Sequence, residues 1–364
     1  MRILPEALVH VPIPHTRTPA AVLTWLVATV VCGLGLSSAP AAAQHPGDPQ
    51  RYAVFDALFV QRNTGAVDRP LVLRGASSQP ALSGWDPTSQ VGYGARVFYG
   101  DLGCDNPGWE IGYLGVFGMN TDTTLTDPAD SLRAADGLGT SPAAGLNNAA
   151  TATYTGQASL NSIEANAVFH QFDGGFDKGS PYPWQRRKDY DGGGVDWLAG
   201  VRWANLEDSA TLGFLQAGAT APNTYTVNAT SNLFAVQTGL RGRLGWRDWA
   251  VDGFMKVGVA GTLLSQSQSM QNVIPTPPFA FRSPRSGDHI GMGMIAEINL
   301  SATYRIDDVW GLRIGYDLMW LTGVALAPDQ FDFSSSAAPP AGTGVTGTGN
   351  LCLNGANLGL EARW

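Results

Sequence analysis

Charge is what this chain has least of. Only 14% of its residues are Asp, Glu, Lys or Arg, against about 25% in an ordinary globular domain. The formal net charge is −8 and no Lys/Arg cluster is large enough to track phosphates, which speaks against nucleic acid as a partner. Long apolar runs are missing beyond the N-terminal region, which argues against a polytopic helical membrane protein. Past residue 43 there is no C-x-x-C pair, no H-E-x-x-H, no P-loop and no G-x-S-x-G, so no metal, cofactor or catalytic frame is offered. Glycine is plentiful instead, 45 in 364 residues, with 10% aromatics. Such a composition suits a β protein with two kinds of face.

The one apolar run, Ala20–Leu36, follows Arg2 and Arg17 and precedes SSAPAAAQ. A basic start, an apolar stretch and an A-x-A site at Ala41 and Ala43 read as an export signal cleaved before Gln44. The expected plan is a signal peptide at 1–43 and one domain at 44–364.

Along that domain, apolar residues alternate with polar or small ones. From Met294 to Ile306, Met294, Ala296, Ile298, Leu300, Ala302 and Tyr304 share one side, while Glu297, Asn299, Ser301, Thr303 and Arg305 share the other. Trp310, Leu312, Ile314, Tyr316, Leu318 and Trp320 repeat the pattern. This period of two is that of a strand between two environments. Ten strands are predicted, near 52–60, 90–100, 108–118, 157–171, 194–206, 225–241, 249–263, 291–305, 311–323 and 350–364, the first weakly patterned and the sixth with a bulge. Most are longer than the usual strand of about 5–6 residues and long enough for the roughly 9–11 that cross a bilayer. Short connections at 101–107, 242–248 and 306–310 alternate with long ones at 61–89, 119–156, 207–224, 264–290 and 324–349; only 172–193 breaks the rule. The fold class expected is all-β: a closed antiparallel transmembrane β-barrel of about ten strands, within a range of about eight to twelve, with short periplasmic turns and long external loops.

On the outward parity, Tyr99, Trp109, Trp197, Trp249, Tyr304, Trp310 and Trp364 fall at the short-turn end, as a periplasmic aromatic girdle would. The closing run Asn357-Leu-Gly-Leu-Glu-Ala-Arg-Trp364 resembles the C-terminal signal read by the barrel-assembly machinery, which is expected as a partner together with outer-membrane lipid. A wider resemblance is carried by Gly315–Gln330 (GYDLMWLTGVALAPDQ), Tyr52–Arg62, Gly108–Tyr113, Val195–Arg202, Asn232–Gly239 and Asn354–Trp364. These pieces resemble the planctomycete outer-membrane β-barrel family, a porin-like family of unassigned activity. The resemblance implies an outer-membrane barrel and carries over no catalytic or ligand-binding residue.

The inward parity collects Arg96, Glu110, Glu164, Arg202, Arg241, Asp252, Lys256, Glu297, Arg305, Arg313, Asp317, Glu361 and Arg363. Two readings stand: a lumen selective for small polar solutes, or an ion-paired filling, since buried charges need partners. Eight-stranded barrels are filled by side chains and water-filled porins have about 16–18 strands, so about ten points to a narrow lumen. His170, sharing a face with Glu164 and Ser162, is the one arrangement with a hydrolase flavour, and a hydrogen-bonded histidine explains it better. Asp122, Asp127, Asp130 and Asp136 lack the spacing of a calcium loop. Cys104 in a turn and Cys352 at the external end are too far apart for a disulfide, so two free thiols are expected. The function expected is a non-enzymatic, porin-like or structural outer-membrane barrel without cofactor; the alternative is a secreted soluble β-barrel or sandwich binding at the cell surface.

Overall fold

Thirteen strands occur among the described residues: β1 (Arg51–Gly65), β2 (Pro70–Arg74), β3 (Gln79–Ser83), β4 (Gly92–Asp101), β5 (Gly108–Thr126) and β6 (Leu132–Ala134), then β7 (Ala149–Asp173) and β8 (Gly192–Gln216). They continue with β9 (Asn223–Trp246), β10 (Trp249–Gln271), β11 (Arg285–Arg305), β12 (Trp310–Val324) and β13 (Gly349–Arg363). The computed structural model describes residues 51–364 except 67, 76–78, 88, 102–106, 174–191, 247, 274–279 and 308. The expected signal peptide and Cys104 lie outside the described residues.

Ten of these strands form one closed antiparallel barrel, in the order β1-β4-β5-β7-β8-β9-β10-β11-β12-β13, with β13 returning to β1. The register at the seam is unbroken from Tyr52↔Arg363 to Gly65↔Asn350. Closure leaves the lower wall without an edge, which is what a sheet needs where water cannot satisfy its backbone. The remaining strands, β2, β3 and β6, lie in the external connections and stack onto β7.

All ten predicted strands exist, but five run much further than their apolar pattern suggested. β7 and β8 have 25 residues each, β9 24, β10 23 and β11 21. The connections expected at 207–224 and 264–290 are therefore mostly strand. They read as loops because their outward residues are Ser209, Thr211, Thr224, Ser265, Ser267 and Ser269. On the inward side the same stretches carry Leu212, Phe214 and Met270, all buried.

β7, β8, β9 and β10 thus reverse their pattern once. At the short-turn end apolar residues point outward and charges inward; at the external end hydroxyls point outward and apolar residues inward. β9 shows it plainly: buried Tyr225, Val227 and Leu233 give way to exposed Phe234 (56%), Val236 (73%) and Leu244 (61%). The bulge expected in 225–241 is absent, since β9 pairs with both neighbours without a register shift. The apolar residues change sides there; the backbone does not. Bulges fall instead in β5 beside Gly118 (φ +70°) and in β12 at Gly323 (φ +71°), conformations that only glycine adopts freely.

The exposed apolar residues form a belt with register-matched edges. Trp249 faces Tyr304 at one border, and Leu263 faces Ile290 at the other. From Trp249 to Leu263, 23-residue β10 rises roughly 34 Å, taking about 3.4 Å per residue and a tilt of about 45°.

Candidate functional site

Among the described residues, the largest polar assembly inside the barrel is a network of ion pairs near the short-turn end. Twelve of the thirteen inward candidates belong to it, and all ten barrel strands contribute. Arg96 on β4 donates to Asp56 of β1 (2.5 Å) and to Asp317 of β12, and lies 3.7 Å from Glu297 of β11. Arg202 on β8 donates to Glu297 (2.5 Å) and to Ser162 Oγ (2.8 Å), with Glu164 of β7 at 3.8 Å. Lys256 on β10 donates to Glu164 and to Glu110 of β5 (3.2 Å). Arg241 on β9 donates to Glu110 (2.9 Å) and to Asp196 (3.3 Å).

At the bottom, Arg313 joins three strands, donating to Asp56 (3.3 Å), Asp252 (2.7 Å) and Glu361 (2.8 Å). Arg243 (2.6 Å) and Arg363 also donate to Glu361. Arg305 lies half-buried on the rim, where its backbone N–H donates to Asp248 O (2.7 Å).

Neutral groups saturate the carboxylates. Asn299 (2.8 Å) and Asn357 (2.6 Å) donate to Asp317, Thr303 to Asp252 (2.9 Å), Gln237 to Glu164 (2.7 Å) and Asn166 to Glu110 (3.1 Å). Lys256 Nζ sits 4.4 Å from the ring centres of both Phe98 and Phe254, which meet edge to face. A desolvated cation over a ring face gains about 2 kcal/mol or more. Every strong interaction is internal, so the assembly offers little to a solute. Cavities beside it measure about 40, 50 and 10 Å³, room for single waters.

Above the network the lumen is apolar. Leu58, Val116, Leu160, Leu206, Leu233, Ile295, Met319, Leu353 and Val324 at the end of β12 meet across it, and Leu326 of the last external connection enters the same cluster. That connection, 325–348, folds inward as a stopper. Asp208 holds it, accepting two hydrogen bonds from Arg62 (2.7 and 2.8 Å) and one from the Ala327 N–H (2.9 Å). Gln330 clasps Thr346 through both its amide ends (2.8 Å each). Above it Phe331 stacks on Phe333 and both meet Tyr225 edge to face. Buried Arg282 donates to the carbonyls of Asp332, Ser334 and Ser336 (3.1, 2.9 and 3.0 Å). Burial pushes the Tyr225 hydroxyl up to about 12, so it stays a donor. Ala325–Gln330, the end of the Gly315–Gln330 stretch that carries the resemblance, is thus the part of the connection that enters the barrel.

Sequence reasoning missed Asp56, Asp196 and Arg243. Asp56 was legible in principle: a lone carboxylate in YAVFDALFV must find a cation if the strand is buried. Among the described residues no group of three His, Cys, Asp or Glu could hold a metal. Ser162 Oγ donates to Trp203 O (3.1 Å) and accepts from Arg202, so it is fixed as a bridge. His170 stands opposite Asp196 in the β7–β8 ladder, and its side chain lies outside the described residues. The girdle candidates cluster at the lower belt border: Tyr99 packs with Trp109 (5.6 Å) and Trp364 (6.3 Å), and Trp249 with Tyr304 (4.9 Å). Trp197 and Trp310 are exposed at the same end. Cys352 is a free thiol, half-buried on β13.

No family model and no curated protein sequence matches the chain. Among solved structures, the outer membrane protease OmpT of Escherichia coli is similar over 89% of this chain and 99% of its own, at 9% identity and a TM-score of 0.47. A FadL homologue of Pseudomonas aeruginosa covers 87% of this chain and 89% of its own, at 9% identity and a TM-score of 0.21. The toluene transporter TodX of P. putida covers 88% and 90%, at 9% identity and 0.18. Likeness at this level carries no activity across.

Proposed function

We propose that this chain is an exported outer-membrane β-barrel with a closed lumen, a structural element of the membrane that neither conducts nor catalyses. The belt fits lipid: its height of roughly 34 Å on 23-residue β10 is close to the hydrocarbon thickness of about 30 Å, and aromatic rings border it. A soluble protein would have to leave Val236, Val259, Ile290 and Ile314, each at least 60% exposed, in water. Kinship with the planctomycete barrel family belongs to this reading, as does recognition of the terminal strand by the assembly machinery.

The observation that carries closure is the filling of the lumen at three levels, by the ion-pair network, the apolar layer and the folded-in connection. A refolded mature chain in a planar bilayer is expected to insert and give no discrete current steps in potassium chloride. Regular steps with a polymer-size cut-off would make it a porin instead, and failure to insert would hand the case to the soluble alternative.

A further inference from the structure

The largest cavity among the described residues lies at the external mouth. It measures about 510 Å³, within the roughly 300–1,000 Å³ of ligand pockets. Three external connections build it. Arg69 comes from the one between β1 and β2, Asp136 from the short helix Asp136–Thr140 after β6, and residues 331–334 and 344–346 from the folded-in connection. Hydrogen bonds tie the three together: Arg69 donates to the Phe331 carbonyl, and the Leu138 N–H donates to the Phe333 carbonyl (2.8 Å). Asp136, Ser334 and Gly344 are exposed, so the cavity is open to the outside.

Two opposite charges line this cavity without meeting. The Arg69 guanidinium is half-buried and lies over the Phe333 ring, 5.1 Å from its centre. Among the described residues it makes no ion pair, and its Nε is buried without a hydrogen-bond partner. Burial pushes its pKa down from the ordinary value, and Asp329, Tyr225, Asp136 and Asp332 counter that from a distance. Asp332 is already committed: it accepts the Ser334 N–H (2.9 Å) and the Gly342 N–H (2.6 Å), and lies 3.9 Å from Arg282. Asp136 is exposed, and among the described residues its side chain accepts no hydrogen bond. Gln268 and Gln330, which also line the cavity, hydrogen-bond within the protein, so recognition falls to the charges.

We propose that this cavity binds a small zwitterion, an α-amino acid or a dipeptide, with its carboxylate on Arg69 and its ammonium toward Asp136. The guanidinium fork is shaped for a carboxylate. An ammonium brings three donors, and a carboxylate such as Asp136 has only acceptors to meet them. A plain anion would carry a like charge in among the aspartates. A plain cation would leave the guanidinium as it is. A ligand of both signs bridges two charges that attract across the cavity without touching.

The test is titration calorimetry on the refolded mature chain in detergent micelles, with leucine and leucyl-leucine as probes. At least one should bind, and the tighter of the two reports the span between the charges. The same probe without its carboxylate (the methyl ester) or without its ammonium (the N-acetyl derivative) should bind about tenfold more weakly or worse. Arg69→Gln should abolish binding while the barrel keeps its heat-dependent gel shift. Asp136→Asn changes an exposed side chain on which folding does not depend, and so decides the matter even where Arg69→Gln fails to fold. It should weaken the zwitterion about tenfold and leave the N-acetyl derivative unchanged. No heat from either probe at millimolar concentration would overturn the proposal. So would equal binding of the N-acetyl derivative, the mark of a plain anion site, or undiminished binding in either folded variant. None of these readouts depends on whether the barrel conducts.

Discussion

Asp56 is the residue on which the interior turns. It is fully buried and shares its two oxygens between Arg96 and Arg313. Burying a charge pair gives little net stability, but deleting one partner strands the other, at a cost of about 3–5 kcal/mol. Asp56→Ala leaves two buried guanidinium groups short of a carboxylate. It is expected to lower the unfolding free energy of the refolded barrel by about that amount in a urea titration with lipid vesicles. A change below about 1 kcal/mol, the level of exposed pairs, would mean that the interior is wetter than its geometry implies. Arg51, whose mostly exposed side chain lies 3.7 Å from Asp101, is the control: its alanine variant should stay within about 1 kcal/mol of wild type.

At the scale of the strand, side chains at equivalent parity have opposite environments above and below the reversal. Val259 and Ser267 lie on the same outward face of β10, eight residues apart, one in the belt and one beyond it. Val259→Arg is expected to cost about 2–4 kcal/mol, as a cation does near a bilayer midplane, and Ser267→Arg close to nothing. Equal costs in the same titration would remove the belt. The strands were legible wherever bulky outward residues alternated with charge, as from Met294 to Tyr304. They were not legible where the outward face became threonine and serine, because period-two counting follows apolar residues and these had moved inside. The same switch mimicked a bulge in β9. The charged candidates could be read from parity alone; their partners could not, since Asp196 and Arg243 lie among small and glycine-rich neighbours, and pairing across 40 to 257 residues is decided by closure.

For the whole molecule, the three fillings of the lumen lie at different heights, and of the folded-in connection only Leu326 belongs to the apolar layer. Removing residues 327–346 and rejoining the ends should therefore leave vesicles tight, because the apolar layer and the ion-pair network still close the lumen below. Dye release or current steps from that variant would show that the folded-in connection alone is the seal. The network has a second consequence, for assembly. Its cations and carboxylates come from all ten strands, and Arg313 receives carboxylates from both the first strand and the last, Asp56 and Glu361. A sheet still open at that seam carries Asp56 and Glu361 apart, with Arg313 short of one of them. Neutralisation of the interior and meeting of the chain's two ends are one event. In the proposed lipid setting the membrane would proofread the nascent barrel: an unfinished one keeps naked charge, and only the finished ring could sink to its full depth.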